Sequence, residues 1–239
     1  MTGRRPIAHF ALAGATACAS LALAACGGND EGTTSAASSS TTAPGATGPT
    51  GQHPKPVPEQ AHIDPSTGSS KGLKPDGREG TEPPPVAEDD LEPAANAAGC
   101  KLQLNLPDEG NKHLAPGAPE PDYETDPPTS GPHDPTPIAD GAYRSTPDPV
   151  NFVHSLEHGR IEIQYSPELP EADQLLLKGI FDEDPDGVLL FPNPDMPYEV
   201  AVTAWTRLAG CASYDESVLD VVRDFRDQFR GKGPEKIQI

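Results

Sequence analysis

The chain has 239 residues, with 30 prolines, 23 glycines and only 5% aromatic residues. That mixture points to one folded part diluted by a segment too poor in apolar side chains to form a core. A net charge of −20 excludes attraction to phosphate backbones and electrostatic adhesion to anionic lipid, so nucleic acid is not an expected partner.

The chain opens with Arg4 and Arg5, continues in an Ala- and Leu-rich run, and reaches Leu23-Ala24-Ala25-Cys26-Gly27. A charged start, a short apolar stretch and small residues before a cleavage point make a signal peptide over residues 1–25. Small residues running straight into a cysteine resemble the lipobox of bacterial lipoproteins, in which the thiol is acylated. Cys26 is therefore the expected lipidation site, and the chain is expected outside the cytoplasm, anchored to the membrane by that lipid. The apolar run, about 19 residues of weakly hydrophobic character, is a poor membrane span. Residues 26–97 read as a disordered tether rich in Pro, Ser, Thr and Gly, with an expected reach of roughly 45–50 Å.

A single α+β domain is expected over 98–239, with a small antiparallel or mixed sheet, about two helices and a long loop-rich N-terminal half. Lys101–Leu106 alternates like a strand, and 107–149 shows little regular pattern. Arg160–Tyr165 alternates and predicts a half-buried strand. Glu171–Phe181 predicts a helix with Leu175, Leu176, Ile180 and Phe181 on one face. Asp186-Gly187 predicts a turn, Val188–Phe191 a short strand and Tyr198–Leu208 another. Ser213 and Glu216 have capping-box spacing before a helix that places Val218, Val221, Val222, Phe225 and Phe229 on one face and stops at Gly231.

Four cysteines are present: Cys18 goes with the signal peptide and Cys26 with the lipid. Cys100 and Cys211 remain, in an oxidising compartment, and a disulfide between them is the economical reading; free thiols or metal ligands are the alternatives.

Four histidines fall in the folded part: His113, His133, His154 and His158. The spacing of His154 and His158 puts both imidazoles on one face of a helix or a strand, where they can share zinc or copper, with Glu157 as a supporting carboxylate or base. The other reading makes them hydrogen-bonding struts for irregular backbone. His-x-x-Glu-His also matches the inverted zinc-peptidase motif, which operates on a helix. Asn151-Phe152-Val153 is a weak helix start and Gly159 ends the segment, so the sequence argues against it. Ser155 near His158 lacks a nucleophile elbow, Met196 could join a copper site, and Asp182–Asp186 lacks calcium-loop spacing.

Pro127-Pro128-Thr129-Ser130-Gly131-Pro132-His133, then His154-Ser155-Leu156-Glu157-His158-Gly159 leading into a strand with Tyr165, then Thr203-Ala204-Trp205 and Cys211, resemble the bacterial domain of unknown function 3105. The resemblance spans roughly Cys100 to Arg230. It implies secreted or membrane-anchored proteins without an assigned activity, and it draws attention to His133, His154, Glu157 and His158. The expected function is thus a non-catalytic binding or structural domain, with a cell-envelope protein or glycan as partner. The alternative is metal binding through the histidines, with metal-dependent hydrolysis behind it.

Overall fold

The structure, a computed structural model, describes residues 68–235. The expected signal peptide, Cys26 and the first part of the expected tether lie outside the described residues. The described chain forms four helices and six strands: α1 (Leu91–Ala98), β1 (Lys101–Gln103), β2 (Gly141–Ala142), α2 (Pro149–Glu157), β3 (Ile161–Tyr165), α3 (Glu171–Glu183), β4 (Val188–Pro192), β5 (Val200–Ala204), β6 (Arg207–Cys211) and α4 (Val218–Phe229). The strands make one mixed sheet in the order β1-β6-β5-β3-β4-β2. β3 is the pivot. It runs parallel to β4, reached through α3, and antiparallel to β5. This is the expected α+β class, with two helices more than the sequence suggested.

The sheet is covered on both faces. One face carries Ile161, Ile163, Tyr165, Val200 and Val202 into a core shared with α1, α3 and α4. α4 contributes Val218, Val221, Val222, Phe225 and Phe229, the predicted face. On α3, Leu177 joins Ile180 and Phe181 in the core, and Leu175 is not buried. The other face is covered by α2 and by chain from the loop-rich half, where Ile138, Tyr143, Phe152, Val153 and Leu156 meet Leu189, Phe191 and Trp205.

Several expectations need correction. Residues 68–97 are not tether. Ser69 bridges to Ile138 and Pro75 to Tyr143, and the Thr81 N–H donates to the Leu175 carbonyl. α1 then buries Leu91, Ala94, Ala95 and Ala98 in the main core. A helix can pack on a face of small alanines, so low aromatic content there does not mean disorder. β3 is buried along its whole length rather than half-buried, because α2 and the loops cover its polar face. The expected strand 198–208 is a hairpin, with Trp205 and Thr206 at the turn and Thr206 at φ 60. The Ser213 capping box does not form. α4 begins at Val218, and Asp215 accepts hydrogen bonds from the Ser217 N–H and hydroxyl instead.

The disulfide between Cys100 and Cys211 is present. Lys101 pairs with Gly210, so the two cysteines are neighbours at the open end of the β1–β6 ladder. The bridge closes a span of 111 residues, for which chain entropy gives roughly 4–5 kcal/mol.

The polar residues on the second face of β3 are hydrogen-bonded to one another, with Glu162 Oε1 left buried without a partner among the described residues. Glu162 lies opposite Thr203 in the β3–β5 ladder. Its Oε2 accepts from the Thr203 hydroxyl (2.9 Å) and from Gln164 Nε2 (3.2 Å), and Gln164 Oε1 accepts from Asn193 Nδ2 (2.7 Å). Complete burial raises the Glu162 carboxyl well above its ordinary range, against these two hydrogen bonds. A carboxyl raised in the folded state contributes stability that is complete below its unfolded pKa and is lost as pH climbs towards the raised value. We expect the urea midpoint to fall as pH climbs above the ordinary carboxylate range, and Glu162→Gln to flatten that fall. Parallel pH profiles for the two proteins would show that Glu162 does not titrate in this way.

Candidate metal centre

α2 carries the densest part of the site. Its start is encoded by Asp148 and Pro149: Asp148 caps Val150 with its side chain, and proline takes the first turn, where its missing N–H costs nothing. This start outweighs the weak Asn151–Val153 segment and overturns the expectation of no helix here: His154, Glu157 and the buried Ser155 lie on α2. Gly159, at φ 82, then turns the chain into β3.

Two loops bring the other histidines to this helix. His133 follows the Ser130-Gly131-Pro132 turn and is fully buried. His113 is set opposite His133 by a parallel bridge. The His133 N–H donates to Lys112, and the Leu114 N–H donates to the His133 carbonyl. The rings converge: centroids are 5.1 Å apart for His113 and His133, 4.8 Å for His113 and His154, 4.6 Å for His133 and His154, and 4.5 Å for His154 and His158.

The hydrogen bonds fix the tautomers. His133 Nδ1 lies 2.8 Å from the Gly131 carbonyl, and His154 Nδ1 lies 2.7 Å from the Asp134 carbonyl. A carbonyl only accepts, so each Nδ1 carries the proton and donates it. In the neutral ring Nε2 is then left as a bare lone pair. Both Nε2 atoms face Glu157 Oε2, at 3.0 Å from His133 and 3.8 Å from His154, and His113 Nε2 is 3.9 Å from the same oxygen. His133 Nε2 and Glu157 Oε2 are both buried and find no hydrogen-bond partner among the described residues. The other Glu157 oxygen is occupied: Asn111 Nδ2 donates to Oε1 at 2.7 Å and so orients Oε2 at the histidines.

Burial, reinforced by the neighbouring rings, lowers the His154 pKa to about 4 against the hydrogen bond to Asp134. The ring is therefore neutral near pH 7. Burial lowers His158 as well, against the pull of Glu235.

Of the four histidines singled out from sequence, the structure groups His113, His133 and His154 with Glu157 as a set of four side chains that could hold a metal ion. Glu157, expected in a supporting role, faces the three histidine nitrogens directly. His158 falls into an overlapping set with His154, Glu157 and Glu235. Asn111 and Glu235 were missed. Nothing local marks either, because each is brought in by tertiary contacts from a loop or from the C-terminal segment. The strut and metal readings turn out not to compete: Nδ1 serves as strut and Nε2 faces the site.

The other nominees go elsewhere. The Ser155 hydroxyl accepts from the Ile138 N–H (2.9 Å) and donates to the Ile138 carbonyl (3.1 Å), so it ties the loop to α2 and is not a free nucleophile. Met196 packs with Ala201 and Leu208, in a different core cluster from the residues around α2. The acidic turn is spent on ion pairs, Asp182 with Lys178, Glu183 with Arg223 and Asp184 with Arg230. Trp205 is a core residue whose ring centroid lies 6.3 Å from that of His133, with the two rings nearly perpendicular.

A family model described as "Protein of unknown function (DUF3105)" matches residues 118–238. The chain belongs to this DUF3105 family. The DUF3105 match takes in His133, His154, Glu157, His158 and Glu235, and begins after Asn111 and His113. Comparison with curated proteins and with solved structures finds no match.

Ser155→Ala removes the hydroxyl that accepts from the buried Ile138 N–H, its one partner among the described residues. We expect a loss of about 1–3 kcal/mol in urea denaturation. A change under about 0.5 kcal/mol would show that the loop is held to α2 by other contacts.

Proposed function

We propose that this protein is an extracytoplasmic metal-binding lipoprotein whose domain holds a divalent ion of the zinc class through His113, His133, His154 and Glu157. The observation that carries the reading is the convergence of buried, hydrogen-bond-orphaned His133 Nε2 and Glu157 Oε2 at 3.0 Å, with two further imidazole nitrogens within 3.9 Å of that oxygen. Two acceptor lone pairs facing each other in a buried site repel unless a cation or proton lies between them. Tetrahedral zinc, with bonds of about 2.0–2.1 Å, sets its donors about 3.3–3.4 Å apart, within the spread seen here. Three imidazoles and a carboxylate suit zinc or copper(II). Copper(I) would want sulfur, and Cys100, Cys211 and Met196 are committed elsewhere. The hydrogen bonds from Nδ1 and from Asn111 are the outer support such a site needs.

Purified full-length chain, loaded with zinc or copper and desalted, is expected to retain near-stoichiometric metal by mass spectrometry. His133→Ala should lose it, and Asn111→Ala should keep the fold but bind about 10–100-fold more weakly. A folded parent with no more metal than His133→Ala would end the proposal and leave the histidines as struts.

The anchor rests on the lipobox-like run into Cys26 and on a net charge unsuited to electrostatic adhesion. Among the described residues no helix is long and apolar enough to cross a membrane. Cys26→Ser is expected to move the protein from the membrane fraction to the soluble fraction of expressing cells. Unchanged fractionation would dismiss Cys26 as the anchor.

A further inference from the structure

We propose a second divalent-cation site beside the first, built by His158 and Glu235 and sharing Glu157 Oε2. This deepens the metal-binding reading and rests on it.

The chain beyond α4 returns to the site. The Gly231 N–H donates to the Gly159 carbonyl at 2.8 Å, and the Glu235 N–H donates to the Glu157 carbonyl at 3.1 Å. Gly233 has no room for a side chain: a Cβ there would lie 2.1 Å from the Glu157 carbonyl oxygen and 2.4 Å from the Gly159 nitrogen. Glycine at that position lets the segment lie flat against the end of α2. The result is that Glu235 Oε2 stands 3.3 Å from His158 Nε2.

His158 is only 6% exposed, and its Nδ1 is buried without a hydrogen-bond partner among the described residues. It differs from His133 and His154, whose Nδ1 atoms are bonded to carbonyls. The nearby Arg160 guanidinium is engaged by Asp140 at 2.9 Å. One donor atom each from His154, Glu157, His158 and Glu235 lies within 4.8 Å of the others.

His154 stands in both sets but has one nitrogen to offer, since Nδ1 is held by Asp134. It serves the first ion. The second takes His158, Glu235 and the shared Glu157 oxygen, with water completing its shell. Paired sites of this kind hold their ions about 3.5–4 Å apart on a common oxygen. The second ion binds more weakly, because it has fewer protein ligands and Glu235 is half exposed.

The test is titration of the metal-free full chain with zinc chloride by calorimetry, beside Glu235→Gln and His158→Gln. Stoichiometry is counted as the difference between proteins, so that zinc bound outside these sites cancels. We expect two events in the parent. Each variant should lose the weaker one, or bind it at least about tenfold more weakly, and keep the tighter one. Equal stoichiometry and affinity in parent and Glu235→Gln, with the His133-dependent ion still bound, would overturn the second site alone. No His133-dependent zinc in any protein would overturn both.

Discussion

Two backbone carbonyls, those of Gly131 and Asp134, decide which nitrogens of the buried histidines are protonated. Both belong to the proline-rich stretch that lacks regular secondary structure, and this explains why the stretch is ordered. Its carbonyl groups are committed to imidazole N–H donors, and its Ile138 to the Ser155 hydroxyl on α2. α2 in turn lies on the second face of the sheet through Phe152, Val153 and Leu156. The donor set is thus fixed by a chain of contacts that begins in the core and ends at two ring nitrogens.

Much of the fold could be read in advance. The apolar face of α4, the extent of α3, strand β4 and the Gly231 stop all follow from periodicity and end signals that act within a few residues. The errors occurred where tertiary context outweighed local pattern. An alanine face packs α1 although nothing in its composition announces a core element. Glu162 and Gln164 gave β3 the alternation of a half-exposed strand. They are buried because Thr203 and Asn193 supply their hydrogen bonds from elsewhere in the sequence.

The site was legible to the same extent. Imidazoles are rare enough that four of them in a loop-rich half attract notice, and three do converge. Glu157 looked like an accessory because a carboxylate beside two histidines has many possible orientations. Its orientation depends on Asn111, 46 residues away, which turns one oxygen inward. Asp148-Pro149 is a local helix start, a capping carboxylate followed by proline in the first turn. Glu235 could not be read, because its position depends on the Gly159–Gly233 approach.

The disulfide makes residues 100–211 a covalent ring. Asn111, His113, His133, His154, Glu157 and His158 all lie within it, and Glu235 lies on the exocyclic tail. Protease cleavage once within the ring, for instance in the irregular stretch before α2, leaves the two ends joined through sulfur and every candidate ligand of the ring on one molecule. Cleavage once between Cys211 and Glu235 leaves the ring whole but severs the segment carrying Glu235 from it covalently. The two groups of candidate ligands therefore differ in their resistance to a single peptide-bond cut.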